Sequence, residues 1–249
     1  METPVTLWLP WIAGSYLVGS IPFGVLLGRL KGIDIRQHGS RNVGATNVTR
    51  VLGKRLGMLC FGLDLAKGVG PVVVVGAVEG MLGRPAASAA VAASVLSGPE
   101  IWLWLAVAAA TVLGHMYSPF LAFGGGKGVA TGFGALVAMW PVLTLPALGA
   151  LVVWYGVLRL TKYVSLASMV AAASVPVGYV MTVIPHDALR TAPADWLGRV
   201  ADAWPPLAVT GAIAVAVIYR HRANIARIHR GEEPRVGGMQ RRGEMRSKE

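Results

Sequence analysis

Charge is scarce in this chain of 249 residues. Asp, Glu, Lys and Arg make up 14% of the sequence, whereas hydrophobic residues make up 54%. A soluble domain of this length needs more charged residues to cover its core, so the composition excludes that class. With a mean hydropathy of +0.57, the sequence predicts an all-α, multi-pass integral membrane protein whose surroundings are the lipid bilayer.

Cysteine is nearly absent as well. Cys60 is the single cysteine, which rules out a disulfide within the chain, and no Cys/His cluster has metal-ligand spacing. We therefore expect neither a metal nor another cofactor. A basic region ahead of the first apolar run is also missing, and that run is too long for a signal peptide. It is predicted to remain as a membrane helix.

Apolar segments of the length needed for membrane helices recur along the chain. Seven are predicted, at residues 5–30, 56–81, 100–117, 128–140, 142–160, 163–184 and 205–219, with an apolar half-segment at 86–96. The fourth is too short to cross a bilayer alone, and Pro22 predicts a kink in the first. Five spans are the alternative, if the fourth and fifth segments form a re-entrant pair.

Lys and Arg are distributed unevenly between the two ends of these segments. Of the basic residues outside the spans, only Arg84, Arg190 and Arg199 fall on the side opposite to the rest. Because cytoplasmic loops carry the excess of positive charge, the N-terminus is predicted to lie outside and the C-terminus in the cytoplasm. Residues 1–230 are predicted to form one membrane domain, and residues 231–249 a polar, mobile cytoplasmic tail.

A loop of small polar residues follows the first span. Residues 39–50 read Gly-Ser-Arg-Asn-Val-Gly-Ala-Thr-Asn-Val-Thr-Arg, a composition that turns tightly and offers N–H and O–H donors. Together with a guanidinium, that chemistry suits a phosphate or an oxyanion. The candidate ligands are Ser40, Asn42, Thr46 and Arg50. A position at the membrane edge favours a ligand that joins a phosphate to an apolar group.

A second candidate phosphate site is the glycine loop of residues 124–128, which opens the fourth apolar segment. The first turn of a helix exposes unpaired N–H groups and a partial positive charge, to which Lys127 adds a full one. Gly125, Gly126 and Lys127 are the candidate ligands. This is not a Walker A sequence, because Gly128 follows the lysine. The alternative, equally open, is a loop of small residues for helix packing, with Lys127 snorkelling to the headgroups.

Beyond the last span, His221 and Asn224 lie three residues apart on a predicted continuation of the helix, so they share a face. We expect both to be functional. The arginines around them, including Arg222 and Arg227, are better explained as a basic anchor on anionic lipid.

Two further polar pairs lie inside the spans. Asp64 and Lys67 of the second span are predicted to pair, and they either shape the site or hold helices together. Ser165 and Ser168, one turn apart at the start of the sixth span, are either substrate ligands or helix-packing hydroxyls.

In order along nearly the whole chain, these segments resemble the bacterial acyl-phosphate:glycerol-3-phosphate acyltransferase family, known as PlsY. The resemblance rests on residues 19–22, 38–40, 44–47, 64, 67–68, 114–115, 125–131, 163–165, 221–222, 224–225, 231 and 233. Arg41 departs from it, since the family usually has Gly there, and Gly124 is often basic in relatives.

The resemblance implies transfer of a fatty acyl group from acyl phosphate to glycerol 3-phosphate, giving lysophosphatidate and phosphate at the cytoplasmic face of the bacterial inner membrane. It implies neither a metal nor acyl-CoA. Consistently, no histidine is followed five positions later by Asp, so the H-x₄-D signature of the acyl-CoA and acyl-carrier-protein acyltransferases is absent. The residues implied in binding and activity are Ser40, Arg50, Lys127, His221 and Asn224, with Glu233 structural.

The chemistry of two anionic substrates agrees with these residues, because cations must hold two phosphates close together. Ser40 is expected to be an oxyanion donor rather than a nucleophile, and the base is either His221 or a phosphate oxygen of the donor. The rival classes are a transporter for an organic phosphate and a non-catalytic lipid-binding scaffold. Transporters usually have repeats and midplane sites, whereas these motifs cluster on one side. No nucleic-acid partner is expected.

Overall fold

The structure, a computed structural model, describes residues 5–85, 96–183 and 204–237. Short 3₁₀ turns occur there at Val5–Trp8, Ile35–Gln37 and Pro119–Leu121. The α-helices of the described residues, in chain order, are α1 (Leu9–Ser20), α2 (Phe23–Arg29), α3 (Ala45–Leu52), α4 (Lys54–Val78), α5 (Gly98–Met116), α6 (Val129–Ala138), α7 (Thr144–Thr161), α8 (Val164–Val183), α9 (Trp204–Arg220) and α10 (Arg222–His229).

Five helical segments of this part of the chain are long and apolar enough to cross a membrane: Leu9–Arg29, Lys54–Val78, Gly98–Met116, Thr144–Thr161 and Val164–Val183. The predicted multi-pass helical class is thereby confirmed. The apolar helices α6 and α9 are shorter; α6, with 10 residues, is about 15 Å long, half the apolar thickness of a bilayer. The count of seven spans and the orientation of the termini stay predictions. Residues 86–95 of the predicted half-segment, and the loop 184–203, lie outside the described residues.

The first span is broken at Ile21–Pro22, where α1 ends and α2 begins. Because proline has no N–H, carbonyl groups near it lose their helical partners and need others inside a membrane. Lys67 Nζ donates to the Ile21 carbonyl at 2.7 Å, and Ser118 Oγ donates to the Ser20 carbonyl at 2.7 Å. The predicted kink is confirmed, and the break is fixed by side chains from α4 and from the loop after α5.

Glycines bring the helices around the site into backbone contact. A Cβ on Gly114 of α5 would collide with the Tyr16 carbonyl of α1. One on Gly68 of α4 would collide with the Thr131 carbonyl of α6. Small residues allow such close approach between membrane helices. The first turn of α6 is therefore pressed against the middle of α4, where Thr131 Oγ1 donates to the Asp64 carbonyl at 2.9 Å.

The C-terminal region differs from the continuous helix that the sequence predicted. The helix α9 packs against α8 and α5 and ends at Arg220. His221 leaves helical geometry, with φ −96° and ψ 6°, before the short helix α10 begins. Residues 231–237, the first part of the predicted tail, contact the turn between α7 and α8. Residues 238–249 lie outside the described residues, so the mobile tail and the domain boundary stay predictions.

Candidate active site

One buried amide organises the loop that contains Ser40. Asn47 of α3 is 1% exposed, and its Oδ1 accepts a hydrogen bond from the Ser40 N–H at 2.8 Å. Its Nδ2 lies within hydrogen-bond distance of three carbonyl oxygens, those of Ile35, His38 and Asn42, at 3.1, 3.1 and 2.9 Å. One side chain thus ties together both ends of the loop, so that the backbone at Ser40 is fixed.

The predicted ligands on this loop fall into two groups. Ser40 and Thr46 are exposed, and Arg50 lies half-buried in the last turn of α3. Asn42 is occupied instead, because its Oδ1 accepts from the Gly44 N–H at 2.9 Å and closes a turn. Arg41 has φ 60°, a left-handed conformation that glycine adopts at less cost. A glycine, which the resemblance predicts at that place, would fit this backbone better, and the arginine adds a cation next to Ser40.

The glycine loop is held by two neighbouring residues. The Gly126 N–H donates to the His115 carbonyl at 3.0 Å. Arg220, the last residue of α9, donates through Nε to the Gly126 carbonyl at 3.0 Å and through Nη2 to the Gly125 carbonyl at 2.6 Å. These backbone groups are occupied by protein partners, and they set the position of Lys127. The helix α6 begins just beyond, so the predicted loop-to-helix arrangement is confirmed.

A buried ion pair lies beneath the loop. Lys67 Nζ is 2.9 Å from Asp64 Oδ1, with both side chains 3% exposed, and His115 Nδ1 lies 3.6 Å from the same oxygen. The ring of His115 fills the space under Gly126, where a Cβ would collide with it. The predicted pairing is confirmed. His115 therefore lies between the glycine loop and the ion pair.

Lys127 reaches from the glycine loop to the C-terminal helix. Its Nζ donates to Asn224 Oδ1 at 2.5 Å, and Asn224 Nδ2 donates to Glu233 Oε1 at 2.5 Å. The same Oε1 accepts from Ser165 Oγ at 2.7 Å, while Arg227 Nε donates to Glu233 Oε2 at 2.8 Å. This row of contacts joins the glycine loop to α8 and α10.

Positive charge accumulates around Lys127. Burial lowers the pKa of Lys127 to about 8, the carboxylate of Glu233 raises it in part, and three guanidiniums lower it further: Arg227, Arg50 and Arg220. Arg50 is therefore close enough to act on Lys127. A Cβ on Gly39 would lie 3.3 Å from Arg50 Cδ, so the Ser40 loop packs directly on that arginine. Arg50 thus connects the Ser40 loop, which it contacts, to the charged region around Lys127.

His221 is a neutral imidazole at the edge of this cluster. It is 2% exposed, and its Nδ1 lies 2.8 Å from the Val217 carbonyl. A carbonyl only accepts, so Nδ1 carries the proton and Nε2 has a free lone pair. Burial, followed by the charge of Lys127, lowers the pKa of His221 to about 4. At neutral pH the side chain is therefore an acceptor without charge.

Known proteins are similar to this chain over most of its length. A family model described as glycerol-3-phosphate acyltransferase matches residues 9–231. The chain belongs to this family. The glycerol-3-phosphate acyltransferase of Anaeromyxobacter dehalogenans is 40% identical over 226 residues, which cover 90% of this chain and 95% of the relative. The Synechocystis glycerol-3-phosphate acyltransferase is 42% identical over 238 residues, covering 95% and 94%.

Two crystal structures of PlsY, an integral membrane glycerol 3-phosphate acyltransferase, share the fold. The glycerol 3-phosphate form has a TM-score of 0.73 at 35% identity and covers 94% of this chain and 98% of the other. The lysophosphatidic acid form has a TM-score of 0.67 at 35% identity, covering 92% and 95%. The protein is thus a membrane-embedded glycerol-3-phosphate acyltransferase, an enzyme of phospholipid synthesis.

The acyltransferase structure separates the predicted residues into those that meet and those that do not. Lys127, Asn224, Ser165 and Glu233 are in one network, as described above. Ser168 lies apart, because its Oγ donates to the Val164 carbonyl at 2.8 Å and accepts from Trp154 Nε1 at 3.3 Å. The contact with Trp154 joins α7 to α8, as expected if Ser168 is a helix-packing hydroxyl.

Sequence reasoning missed several residues that shape the candidate site. Asn47 appeared only within a motif, and Arg220 and Arg227 were grouped with the basic lipid anchor. Arg227 nevertheless forms an ion pair with Glu233. Within the described residues, no cluster of three or more His, Cys, Asp or Glu side chains is arranged to hold a metal ion.

Proposed function

We propose that this glycerol-3-phosphate acyltransferase takes its acyl group from acyl phosphate, at a site formed by Ser40, Arg50, Lys127, His221 and Asn224. The observation that carries the proposal is the group of cations around Lys127, beside the Ser40 loop and a neutral imidazole. Both substrates are phosphates, and charge-assisted hydrogen bonds from cations are their strongest protein contacts. The glycerol 3-phosphate and lysophosphatidic acid forms of PlsY support this acceptor and this product.

The phosphate of glycerol 3-phosphate binds between Lys127 and Arg50. With a pKa of about 8, Lys127 is largely charged at pH 7. An ammonium has three donors, and the bond to Asn224 uses one of them. The others remain for phosphate oxygens, while Asn224 fixes the direction in which they point.

The transfer needs no covalent enzyme intermediate, because acyl phosphate is already activated. A hydroxyl oxygen of glycerol 3-phosphate attacks the carbonyl carbon, and the new ester C–O bond forms. The bond from that carbon to the phosphate oxygen then breaks, and phosphate leaves with the electron pair. Ser40 donates its hydroxyl proton in a hydrogen bond to the oxyanion, a contact that strengthens as charge develops there.

The proton of the attacking hydroxyl goes to the leaving phosphate. A general base works best when its pKa lies near the operating pH. The pKa of His221 is about 4, so its imidazole is a weak base at neutral pH, whereas the phosphate becomes more basic as its bond to the carbonyl carbon breaks. Nε2 of His221 therefore accepts a hydrogen bond from the second, non-reacting hydroxyl of glycerol 3-phosphate and so orients the acceptor, while the donor phosphate takes the proton of the attacking hydroxyl.

The acyl chain of the donor lies in an apolar groove at the break of the first span. The groove has a volume of about 320 Å³ and is lined by Ile21, Pro22, Val25, Leu26, Arg29, Phe120 and Leu121. That volume is within the range of ligand sites. Val25 and Leu121 pack in one apolar cluster with Val43 of the Ser40 loop, so the inner end of the groove adjoins the reaction site. Lipid tails are as apolar as the groove, so moving the acyl chain from lipid into the groove gains little free energy. The role of the groove is therefore to align the chain.

The site is proposed to face the cytoplasm of a bacterial inner membrane, with the N-terminus outside. The Lys and Arg distribution supports this orientation. Labelling of single cysteines in a Cys60→Ala background tests it, and external labelling of a cysteine at position 245 would contradict it.

The donor is tested with the purified enzyme in lipid. Acyl phosphate and glycerol 3-phosphate should give lysophosphatidate and an equal amount of phosphate. Acyl-CoA in place of acyl phosphate should give no product. Equal rates from acyl-CoA alone would show that the assigned donor is wrong.

A further inference from the structure

The chain beyond α10 returns to the body of the protein. Residues 231–237, here named the C-terminal strap, begin at Gly231 with φ 68° and run to the turn between α7 and α8. There the Val236 N–H donates to the Lys162 carbonyl at 2.9 Å. Arg235 Nε donates to the Tyr163 hydroxyl at 3.0 Å, and its guanidinium lies 5.0 Å from the centre of the same ring. The strap is therefore fastened at its far end, two residues beyond Glu233.

The contacts of Arg235 and Val236 hold the carboxylate of Glu233 inside the protein. Glu233 is 9% exposed, and its two oxygens accept hydrogen bonds from three side chains: Ser165, Asn224 and Arg227. Each donor lies on a helix, whereas the acceptor lies on the strap. The position of the carboxylate consequently depends on the strap being closed.

Glu233 determines which atom of the Asn224 amide faces Lys127. An ionised carboxylate only accepts hydrogen bonds and an ammonium only donates them. The amide must therefore turn its Nδ2 to Glu233 and its Oδ1 to Lys127, as observed. Without the carboxylate, nothing on that side would oppose the reverse orientation, in which an NH₂ group would face Lys127.

We propose that the C-terminal strap is a positioning element of the active site. Closed by Arg235 and Tyr163, it places Glu233 where the carboxylate orients Asn224 and keeps Lys127 in its charged form. The inference rests on the proposed function of Lys127 as a ligand of the glycerol 3-phosphate phosphate.

The charged form of Lys127 depends on Glu233 because the other neighbours act against it. The titratable and charged groups that face Lys127 are Glu233, Arg227, Arg50, Arg220 and His221. Of these, the three arginines lower the pKa of Lys127 and Glu233 raises it. An open strap leaves Lys127 among cations alone, so that it loses its proton at lower pH than in the closed protein.

The test compares Arg235→Ala with Arg230→Ala in the full-length enzyme. Arg230 belongs to the same region, but its ion pair with Glu232 is exposed to solvent. We measure kcat and the KM for glycerol 3-phosphate between pH 6 and 9. Arg235→Ala removes the hydrogen bond to Tyr163, which predicts a KM increase of roughly two- to tenfold. Arg230→Ala should leave the KM unchanged. The alkaline rise in KM should begin at lower pH in Arg235→Ala.

Two further variants separate positioning from folding. Glu233→Gln keeps the shape but removes the charge, so it should show the same alkaline shift at least as strongly. The double variant Tyr163→Phe/Arg235→Ala should have the same KM for glycerol 3-phosphate as Arg235→Ala, because the two substitutions remove the same hydrogen bond. An unchanged KM and pH profile in both Arg235→Ala and Glu233→Gln would overturn the proposal. If Lys127→Ala itself leaves the KM unchanged, the proposed phosphate site is what fails.

Discussion

Lys127 and Asn224 are 97 residues apart in sequence, yet their side chains meet at 2.5 Å. The glycine loop brings one of them and the helix after the His221 break brings the other. In the proposed phosphate site neither segment suffices alone, because the lysine needs a fixed direction and the amide needs a partner. The contact makes the two segments one site.

Lys127→Ala should raise the KM for glycerol 3-phosphate by roughly ten- to hundredfold, the effect of losing one hydrogen bond to a charged group. The matched control is Lys31→Ala, which removes an exposed cation from the loop after α2. Steady-state kinetics in lipid measure both. Equal effects from the two variants would mean that general surface charge, not this site, attracts the substrate.

Ser40→Ala should lower kcat by about 10²- to 10³-fold with little change in KM, because an oxyanion donor acts in the transition state. Ser174→Ala is the control, since that hydroxyl bonds within α8, to the Ala171 carbonyl. Single-turnover assays with acyl phosphate give the rate of the chemical step. A full rate in Ser40→Ala would exclude the hydroxyl as the donor.

Gly126→Ala should disturb the site from below. The added methyl collides with the His115 ring, and overpacking of this kind costs about 1–3 kcal/mol in the free energy of unfolding. Either the glycine loop or the His115 ring must shift, so the KM for glycerol 3-phosphate should increase and the midpoint of thermal unfolding should fall. Gly62→Ala on α4, where nothing lies within 4 Å of the new Cβ, should change neither. Normal values for Gly126→Ala would show that the loop does not rest on His115.

The pH profile should have an alkaline limb that belongs to Lys127. Its pKa of about 8 lies below the usual value for lysine, so the charged form is present below pH 8 and is lost above it. kcat/KM for glycerol 3-phosphate should therefore fall as pH rises through 8. In Lys127→Arg this limb should disappear, because a guanidinium keeps its proton throughout that range. A limb at the same pH in that variant would assign it to another group. With its pKa at about 4, His221 should add no transition between pH 6 and 8.

Leu26→Trp should shift the enzyme toward short acyl donors. The larger side chain occupies the groove, so kcat/KM for palmitoyl phosphate should fall relative to octanoyl phosphate by roughly five- to hundredfold. Leu30→Trp is the control on the same segment, because Leu30 is 79% exposed and does not line the groove. An unchanged chain-length profile in an active Leu26→Trp enzyme would place the acyl chain elsewhere.

Local patterns predicted the local features of this protein. A proline after Gly-Ser-Ile indicated the break in the first span, and a basic glycine loop before an apolar segment indicated where α6 begins. Asp64 and Lys67, three residues apart in an apolar helix, had no better partners than each other. In each case the cause lies within a few residues of sequence.

Long-range placement could not be predicted in the same way. Nothing near Glu233 in sequence shows that it reaches Ser165, because that contact depends on the strap crossing to another helix. The same holds for Ser168, whose spacing from Ser165 suggested a shared role although the two hydroxyls point to different neighbours. His221 was predicted to continue a helix, whereas its backbone angles in the fold, φ −96° and ψ 6°, show a break. The site residues were therefore recognised by type and resemblance, while their connections required the fold.

The positive charges around Lys127 should attract small anions other than the substrate. Four cations, Lys127, Arg50, Arg220 and Arg227, share this region with the single carboxylate of Glu233 among the groups that act on Lys127. Such an excess draws in small anions without regard to identity and weakens with ionic strength. With acyl phosphate as the proposed donor, each turnover would release phosphate into this same region. On that proposal, inorganic phosphate competes with glycerol 3-phosphate for these cations, so a rise in phosphate concentration should raise the KM for the acceptor.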